Sequence, residues 1–376
     1  MKLLFLVLFA SLSIIIFPKQ IHAQQNILPP EPPEEHFYKG RVEKVIKQTE
    51  TSVNGSKNFS QTLEITIYTD GNKNQNITLN HEGVLKDSDS KKLESGDRIV
   101  VLHTPSSDTR PYYIVDTYRL DSMIYILLGF FIVVLLIAGK KGLGSIVGMV
   151  FSVFVILQFI VPQILRGQDP LLISIIGSSI IMLVTMFLAH GFNKKTGISL
   201  VATGISLVCT GLLAFGFIAL TKLTGVGNED AYMLQLGIST INVKGLLLGG
   251  IIIGSLGVLD DITISQTATI FEIKKANKSL DFMDLVMRGY RVGKEHIASL
   301  VNTLVLAYAG ASLSLFILFV LNPSGQPYWV ILNNEMIVEE VVRTIAGSIG
   351  LVLAVPITTV LAAWLATKPG SLITNH

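Results

Sequence analysis

The chain has 376 residues, of which 50% are apolar and only 15% are charged, and its formal net charge is +2. Soluble domains carry about 25% charged residues, so this composition excludes an ordinary soluble protein and favours an integral membrane protein. The small net charge gives no basis for a nucleic-acid partner, and the single cysteine, Cys209, excludes a disulfide framework and a cysteine-based metal site.

The first 23 residues have the pattern of a secretory signal peptide. Lys2 precedes an apolar run over residues 3–17, and Ala23 provides a small residue at a cleavage point. Because Ile21 is unusual two residues before that point, an uncleaved membrane anchor is the alternative. Either way, the segment that follows is expected outside the cytoplasm, beginning with a proline-rich linker over residues 24–35.

Residues 36–120 alternate between apolar and polar side chains in short runs separated by turn residues. Several short strands within one small segment are typical of a small barrel. The sequence therefore predicts a small all-β, OB-like extracytoplasmic domain. The five predicted strands are 38–46, 63–68, 76–80, 98–102 and 112–118.

After residue 121 the chain is apolar almost without interruption. A membrane-spanning helix needs roughly 20 apolar residues to cross about 30 Å of hydrocarbon. Lipid accommodates only helices and closed barrels, and these segments lack the alternation of barrel strands, so residues 121–370 are predicted to form an α-helical polytopic bundle. The seven predicted spans are 123–139, 143–165, 171–192, 198–220, 244–273, 297–321 and 341–367.

The distribution of basic residues predicts the orientation of the bundle. Basic clusters follow the first, third and fifth spans, and Lys368 follows the seventh, whereas each opposite loop carries at most one basic residue. Because basic loops remain in the cytoplasm, the N-terminal domain is expected outside and the C-terminus inside. The cluster residues are Lys140, Lys141, Lys194, Lys195, Lys274, Lys275, Lys278, Arg288, Arg291 and Lys294.

Two adjacent aspartates interrupt the fifth predicted span. Residues 245–259 are apolar over only 15 residues, roughly 22 Å of helix, so the span either ends at Asp260 and Asp261 or continues through them. Ionisable residues in lipid are costly, which makes both aspartates candidate ion ligands or proton carriers. The alternative is that Asp261 caps a new helix at the cytoplasmic interface. The candidate pathway residues of this segment are Asp260, Asp261, Thr263, Ser265, Gln266 and Thr267.

A second polar stripe lies at the entry to the sixth predicted span. Its members recur at helical spacing and are expected at the membrane depth of the two aspartates. All of them except Glu295 would line the facing wall of a pathway. The alternative is an interfacial histidine with hydrogen bonds between helices. No second histidine stands at ligand spacing, so no metal site is expected. The stripe consists of Glu295, His296, Ser299, Asn302 and Thr303.

A third polar group stands at the outer end of the seventh predicted span. Arg343 follows Glu340 by three residues and Glu339 by four, the spacings that bring helical side chains together. Local ion pairing is therefore the expected account of this group.

No motif of a zinc protease, serine hydrolase, P-loop protein or dinucleotide enzyme occurs in the chain. An intramembrane aspartyl protease is disfavoured because Asp260 and Asp261, as sequential residues on one helix, diverge instead of converging on one water. The chain is therefore not expected to be an enzyme, and no cofactor is expected.

Four segments carry a resemblance to a known family: GVLDDITISQ at 257–266, GKEHIAS at 293–299, NTLVLAYAGA at 302–311 and GSIGLVLAVP at 347–356. On these segments the chain resembles the YibE/F family of bacterial multi-pass membrane proteins. The resemblance implies a bacterial plasma-membrane location and the order of signal peptide, small domain and helix bundle. It implies no substrate and no biochemical activity.

The leading hypothesis is a permease or channel for an ion or small polar solute, with the aspartates on one wall and the stripe at 295–303 on the other. Glycines before the aspartates would allow a broken helix. A broken hairpin is less favoured, since it would place the basic loop 274–294 outside. The rival hypothesis is a non-transporting sensor or envelope assembly factor whose exported domain binds a cell-envelope protein.

Overall fold

The computed structural model describes residues 35–53, 56–68, 74–84, 92–105, 111–237, 241–322 and 325–368. The predicted signal peptide and residues 24–34 of the predicted linker lie outside these ranges. The chain separates into two compact units, which divide between Val133 and Val134.

The first unit is a small β half-barrel of five antiparallel strands, which confirms that this segment is all-β. The strands pair in the order β3-β2-β1-β4-β5, so β1 lies at the centre of the sheet. The strands are β1 (His36–Val53), β2 (Ser56–Tyr68), β3 (Asn74–Val84), β4 (Arg98–His103) and β5 (Tyr112–Thr117).

The concave face of the sheet holds the core of the half-barrel. Alternate residues of β2 and β4, such as Ile65 and Ile99, are completely buried there. The pairing of β1 with β2 shifts register twice, and such bulges increase the twist and bend of a strand. Gly40 in β1 allows the close approach of neighbouring strands, because a Cβ there would lie 3.2 Å from both Ile65 and Ile99.

The other regular elements of the described chain are helices. The first of them runs to Val155 and continues through a π-helical turn, Ile156–Ile160, into a short second helix. The helices are α1 (Leu120–Val155), α2 (Val161–Leu165), α3 (Pro170–His190), α4 (Lys194–Thr221), α5 (Glu229–Gly237), α6 (Val243–Ala276), α7 (Phe282–Ala311), α8 (Leu313–Leu321), α9 (Tyr328–Leu332) and α10 (Glu335–Thr367).

Five helical stretches in the described ranges are long and apolar enough to cross a membrane, and α7 with α8, bent by 67°, makes a sixth if the pair is one span. The prediction of a multi-pass helical protein is confirmed. The number of seven stays a prediction, because a count by length and composition takes the predicted segments 123–139 and 143–165 together as the single stretch Leu120–Leu165. Within that stretch, Gly139 has non-helical φ and ψ of 55° and −131°.

The second unit is organised around three helices, α4, α6 and α10, each of which packs against the other two. Helix α3 packs on α6, and α7 packs mainly on α10. Small residues permit these contacts: a Cβ on Gly350 of α10 would overlap the hydroxyl of Thr210 on α4. The centre of the unit is therefore close-packed, as membrane helices with small interfacial residues are.

Polar contacts join neighbouring elements at each of the two ends of this unit. At one end, Lys195 Nζ at the start of α4 lies 3.3 Å from Glu272 Oε1 near the end of α6. At the other end, Glu335 Oε1 at the start of α10 accepts hydrogen bonds from Thr224 N at 2.6 Å and Gly225 N at 3.0 Å. The starts of α4 and α10 therefore lie at opposite ends.

Replacing Glu335 by alanine is expected to release the loop between α4 and α5. Glu335 Oε1 also accepts a bond from Thr224 Oγ1 at 2.7 Å, so the substitution removes three hydrogen bonds at once. Hydrogen exchange at the Thr224 and Gly225 amides should become faster by about tenfold or more, since each bond to a charged group contributes roughly 1.5–3 kcal/mol.

The matched control for this experiment is Glu340→Ala. Glu340 contacts Arg343 at 3.5 Å on the same helix and has no hydrogen bond to the loop among the described residues. Its replacement should leave the two amide exchange rates unchanged. Equal exchange rates in the Glu335→Ala variant and the unsubstituted protein would show that Glu335 does not hold the loop.

Candidate functional site

Helix α6 runs without a break through both aspartates. Asn242 caps its start by accepting a hydrogen bond from Gly245 N at 3.0 Å, and the helix continues to Ala276. Of the alternatives for this span, continuation through the aspartates is the one observed: the helix is not broken at the glycines, and Asp261 does not cap a new helix. The physical reason is that Leu259 and Ile262, which flank the aspartates, are buried in the bundle core and hold this turn in the helix.

Asp260 and Asp261 line a cleft of about 340 Å³ between α1, α3 and α6. Apolar side chains form one part of its wall and polar side chains the other. The polar lining residues are Ser145 and Ser152 of α1, Thr185 and His190 of α3, and Asp260 and Asp261 of α6.

The two carboxylates differ in exposure. Asp261 is exposed, whereas Asp260 is partly buried and its Oδ1 atom is sealed from solvent without a hydrogen-bond donor in the described chain. Neither aspartate forms an ion pair with any described residue. His190 is near enough to Lys141 and Asp261 to interact electrostatically with both. An unpaired carboxylate that is partly withdrawn from water favours a cation or a hydrogen-bond donor as its neighbour.

The other predicted residues of α6 lie away from the cleft. Thr263 and Thr267 are completely buried and bond to α4: Thr263 Oγ1 lies 2.6 Å from Thr203 Oγ1, and Ser199 Oγ donates to Thr267 Oγ1 at 2.8 Å. Ser265 Oγ donates to a backbone carbonyl of its own helix. The hydroxyls of Thr263 and Thr267 therefore join α6 to α4 in the buried core.

Gln266 joins three helices. Its Nε2 donates to Gly289 O of α7 at 2.9 Å and to Thr359 Oγ1 of α10 at 2.7 Å. The side chain is 1% exposed, so it lies in the packed interior instead of on the cleft wall. Of the predicted residues of α6, only the two aspartates therefore reach the cleft.

The polar stripe of α7 does not form the facing wall of this cleft. Ser299, Asn302 and Thr303 are exposed, His296 is half-buried, and none of the four lines the cleft. The core-facing side of α7 carries apolar residues such as Leu300 and Leu304. On a helix, Asn302 lies on the side opposite to these residues.

The facing wall belongs instead to α1 and α3, which the sequence analysis missed. Gly148, Ser152 and Ile156 are spaced four residues apart, and Ile181, Thr185 and Ala189 repeat the same spacing. Each set therefore forms one helix face, with a hydroxyl residue at its centre. That pattern was present in the sequence, but hydroxyl residues are ordinary in membrane helices and do not stand out as a polar site.

The third polar group is partly as predicted. Arg343 pairs with Glu340 at 3.5 Å, which confirms local ion pairing. Glu339 is instead buried, at 4% exposure, and its Oε1 accepts a hydrogen bond from Gly227 N at 3.0 Å. Within the described ranges, no group of three or more His, Cys, Asp or Glu side chains could hold a metal ion.

Comparison with known proteins gives one match. A family model described as YibE/F-like protein matches residues 126–368, which is more than half of the chain. The matched region contains every residue of the cleft and begins beyond the last strand of the half-barrel. No curated protein and no solved structure matches the chain.

Proposed function

Because the chain belongs to the YibE/F-like protein family, we propose that it is a plasma-membrane permease or channel that passes an ion or small polar solute through the cleft at Asp260 and Asp261. The observation that carries the proposal is the Asp260 carboxylate, unpaired among the described residues and turned toward a cleft with hydroxyl and imidazole groups opposite. A charged residue at the centre of a membrane helix costs roughly 2.5–3.5 kcal/mol or more to insert. A hydrated cation in the cleft would offset that cost.

The membrane topology proposed with this function has seven spans. Leu120–Leu165 contains 46 residues, about 69 Å of helix, which is more than two hydrocarbon cores. A Cβ on Gly142 would lie 2.7 Å from Val134 O, although eight residues of straight helix would separate these positions by about 12 Å. The chain therefore turns sharply at Gly139, which supports two spans there, and α7 with α8 then completes the seven.

The proposed orientation places the half-barrel outside the cytoplasm and the C-terminus inside. Its support is that basic residues after the first, third and fifth spans gather at one end of the second unit. Lys141 lies near His190, and Lys195 pairs with Glu272, next to Lys274. Basic residues of this kind remain on the cytoplasmic side.

The second candidate function is a non-transporting sensor or envelope assembly factor that acts through the exported, OB-like domain. The observation that favours it is an apolar patch on the outer face of the half-barrel. Phe37 pairs with Leu102, which pairs with Tyr113, and Phe37 and Tyr113 are 61% and 42% exposed. Adjacent exposed apolar side chains of this kind suit a protein partner in the cell envelope. Neither candidate function is enzymatic.

Transport by proteoliposomes separates the two candidates. The full chain, and a variant that lacks residues 36–117, would be reconstituted and tested for uptake of Na⁺, K⁺ and radiolabelled methylammonium. The permease proposal expects uptake above that of empty liposomes in both preparations. No uptake of any probe by either folded protein would contradict transport and favour the sensor.

A further inference from the structure

We infer that the ligand of the cleft is an organic cation, with an ammonium group at Asp260 and Asp261 and an apolar part on the bare face of α6. The inference rests on the proposed function and narrows its ligand to one chemical class. Free amines and amine-headed lipids share this chemistry.

The size and lining of the cleft suit an organic ligand better than an inorganic ion. Sites for small organic molecules have volumes of roughly 300–1,000 Å³ and mostly apolar walls, and the cleft has about 340 Å³. Met149, Ile181, Ile253 and Leu256 contribute apolar surface to it. An inorganic cation would leave this apolar surface without a contact, whereas the apolar part of an organic cation would pack on it.

The charges of the cleft select an ammonium group. An ammonium brings three hydrogen-bond donors and a positive charge, and neither of the two carboxylates that line the cleft forms an ion pair with a described residue. The basic groups nearby are Lys141, which is exposed on α1, and His190, which is exposed at the end of α3. The unpaired carboxylates therefore determine the sign of the ligand's charge.

A strip of bare backbone leads along α6 to the carboxylates. Gly250, Gly254 and Gly257 lie on one helix face, and Asp261 continues the same face. A Cβ on Gly250 or Gly257 would meet nothing within 4 Å, and a Cβ on Gly254 would meet only Tyr308 Oη at 3.9 Å. The strip is about 16 Å long at 1.5 Å per residue, which gives an alkyl chain room beside the helix when its ammonium is at Asp261.

The test uses the full chain in phosphatidylcholine nanodiscs and a series of alkylammonium ions from methyl to hexyl. Binding would be measured by calorimetry. Affinity should rise by about fourfold for each added methylene, the gain expected from burying it. Asp260→Asn should weaken binding of every member by about tenfold or more, because the ammonium loses its charged partner. The matched control, Asp230→Asn on exposed α5, should bind the series as the unsubstituted protein does.

A second variant tests the strip separately from the carboxylates. The side chain of Gly257→Leu would occupy the open space along α6, so it should abolish the gain in affinity with chain length. Gly216→Leu on α4 also places its side chain in open space, but it lies away from the cleft. It should change neither the affinity for methylammonium nor the gain in affinity with chain length. Thermal unfolding midpoints of both variants would report whether the fold is retained.

Nanodiscs that contain phosphatidylethanolamine identify the source of the amine. Displacement of hexylammonium by that lipid assigns the site to a lipid headgroup, and no displacement assigns it to a soluble amine. Binding that is independent of chain length, or Na⁺ binding in preference to hexylammonium, would overturn the inference. If Asp260→Asn blocked Na⁺ uptake while no alkylammonium bound, the inference would fail and the proposed function would stand.

Discussion

Replacing Asp260 by asparagine is expected to lower methylammonium uptake by about tenfold or more. Asparagine has nearly the shape of aspartate but no charge, and two opposite charges 4 Å apart attract by about 4 kcal/mol at an effective dielectric of 20. The cleft places this partly buried carboxylate opposite Ser152 and Thr185 of α1 and α3. Initial uptake rates in proteoliposomes of equal protein content provide the measurement.

Two further variants serve as comparisons for the Asp260→Asn experiment. Asp261→Asn should have a smaller effect, because Asp261 is exposed whereas Asp260 is partly buried, where a charge interacts more strongly with its neighbours. Asp230→Asn, on α5 and outside the cleft, should keep uptake within about twofold, as for an ordinary surface substitution. Unchanged uptake in a folded Asp260→Asn variant would exclude this carboxylate from the pathway.

Replacing Gly350 by valine is expected to give the largest loss of stability. A Cβ at this position would overlap Thr210 Oγ1 and lie 3.0 Å from Thr210 Cβ, at the buried contact between α10 and α4. Overpacking of a close-packed interior costs roughly 1–3 kcal/mol and can cost more where backbone must shift. The thermal unfolding midpoint in detergent should therefore fall markedly, with loss of yield.

The matched control is Gly216→Val on α4, where an added Cβ would meet nothing within 4 Å. Its unfolding midpoint should stay close to that of the unsubstituted protein. Thr210→Ala removes the overlapping hydroxyl and should recover part of the stability that Gly350→Val loses. A Gly350→Val protein as stable as the Gly216→Val protein would show that α4 and α10 do not pack as described.

Local patterns predicted much of the fold. The alternation of apolar and polar side chains predicted strands β1, β2 and β4, because a sheet with one buried face requires that pattern. Hydropathy predicted α3, α4 and most of α10, because each contains one long apolar run, and it predicted α6 although Asp260 and Asp261 interrupt the apolar run there. The early start of α7 was missed, since its first turns are polar and begin at a capping box between Asp281 and Asp284.

Relations between helices were harder to predict. Hydropathy measures the length of an apolar run and not its direction, so it did not predict the 67° bend between α7 and α8. The aspartates of the cleft were found because charge in lipid is costly. Their facing wall was assigned to α7 instead of α1 and α3, because packing decides which helices are neighbours.

The buried hydroxyl contacts between α4 and α6 also had a signal in the sequence, which the sequence analysis did not use. A stripe of small hydroxyl residues on α4 recurs at intervals of three and four residues, all of them buried. Such spacing predicts one helix face, and Ser and Thr on that face predict a tight contact between membrane helices. The stripe consists of Thr196, Ser199, Thr203, Ser206 and Thr210.

The most direct test of an aqueous pathway at the aspartates is thiol accessibility in the cleft. In a Cys209→Ala protein, single cysteines at Ser152 and Thr185 would be probed with a membrane-impermeant thiol reagent in cells and in inverted vesicles. Exposed Asn277→Cys and completely buried Thr203→Cys are the positive and negative controls. The pathway predicts that both cleft cysteines label and that methylammonium slows the reaction. No labelling from either side, with Asn277→Cys reacting normally, would mean a dry cleft and would contradict transport through it.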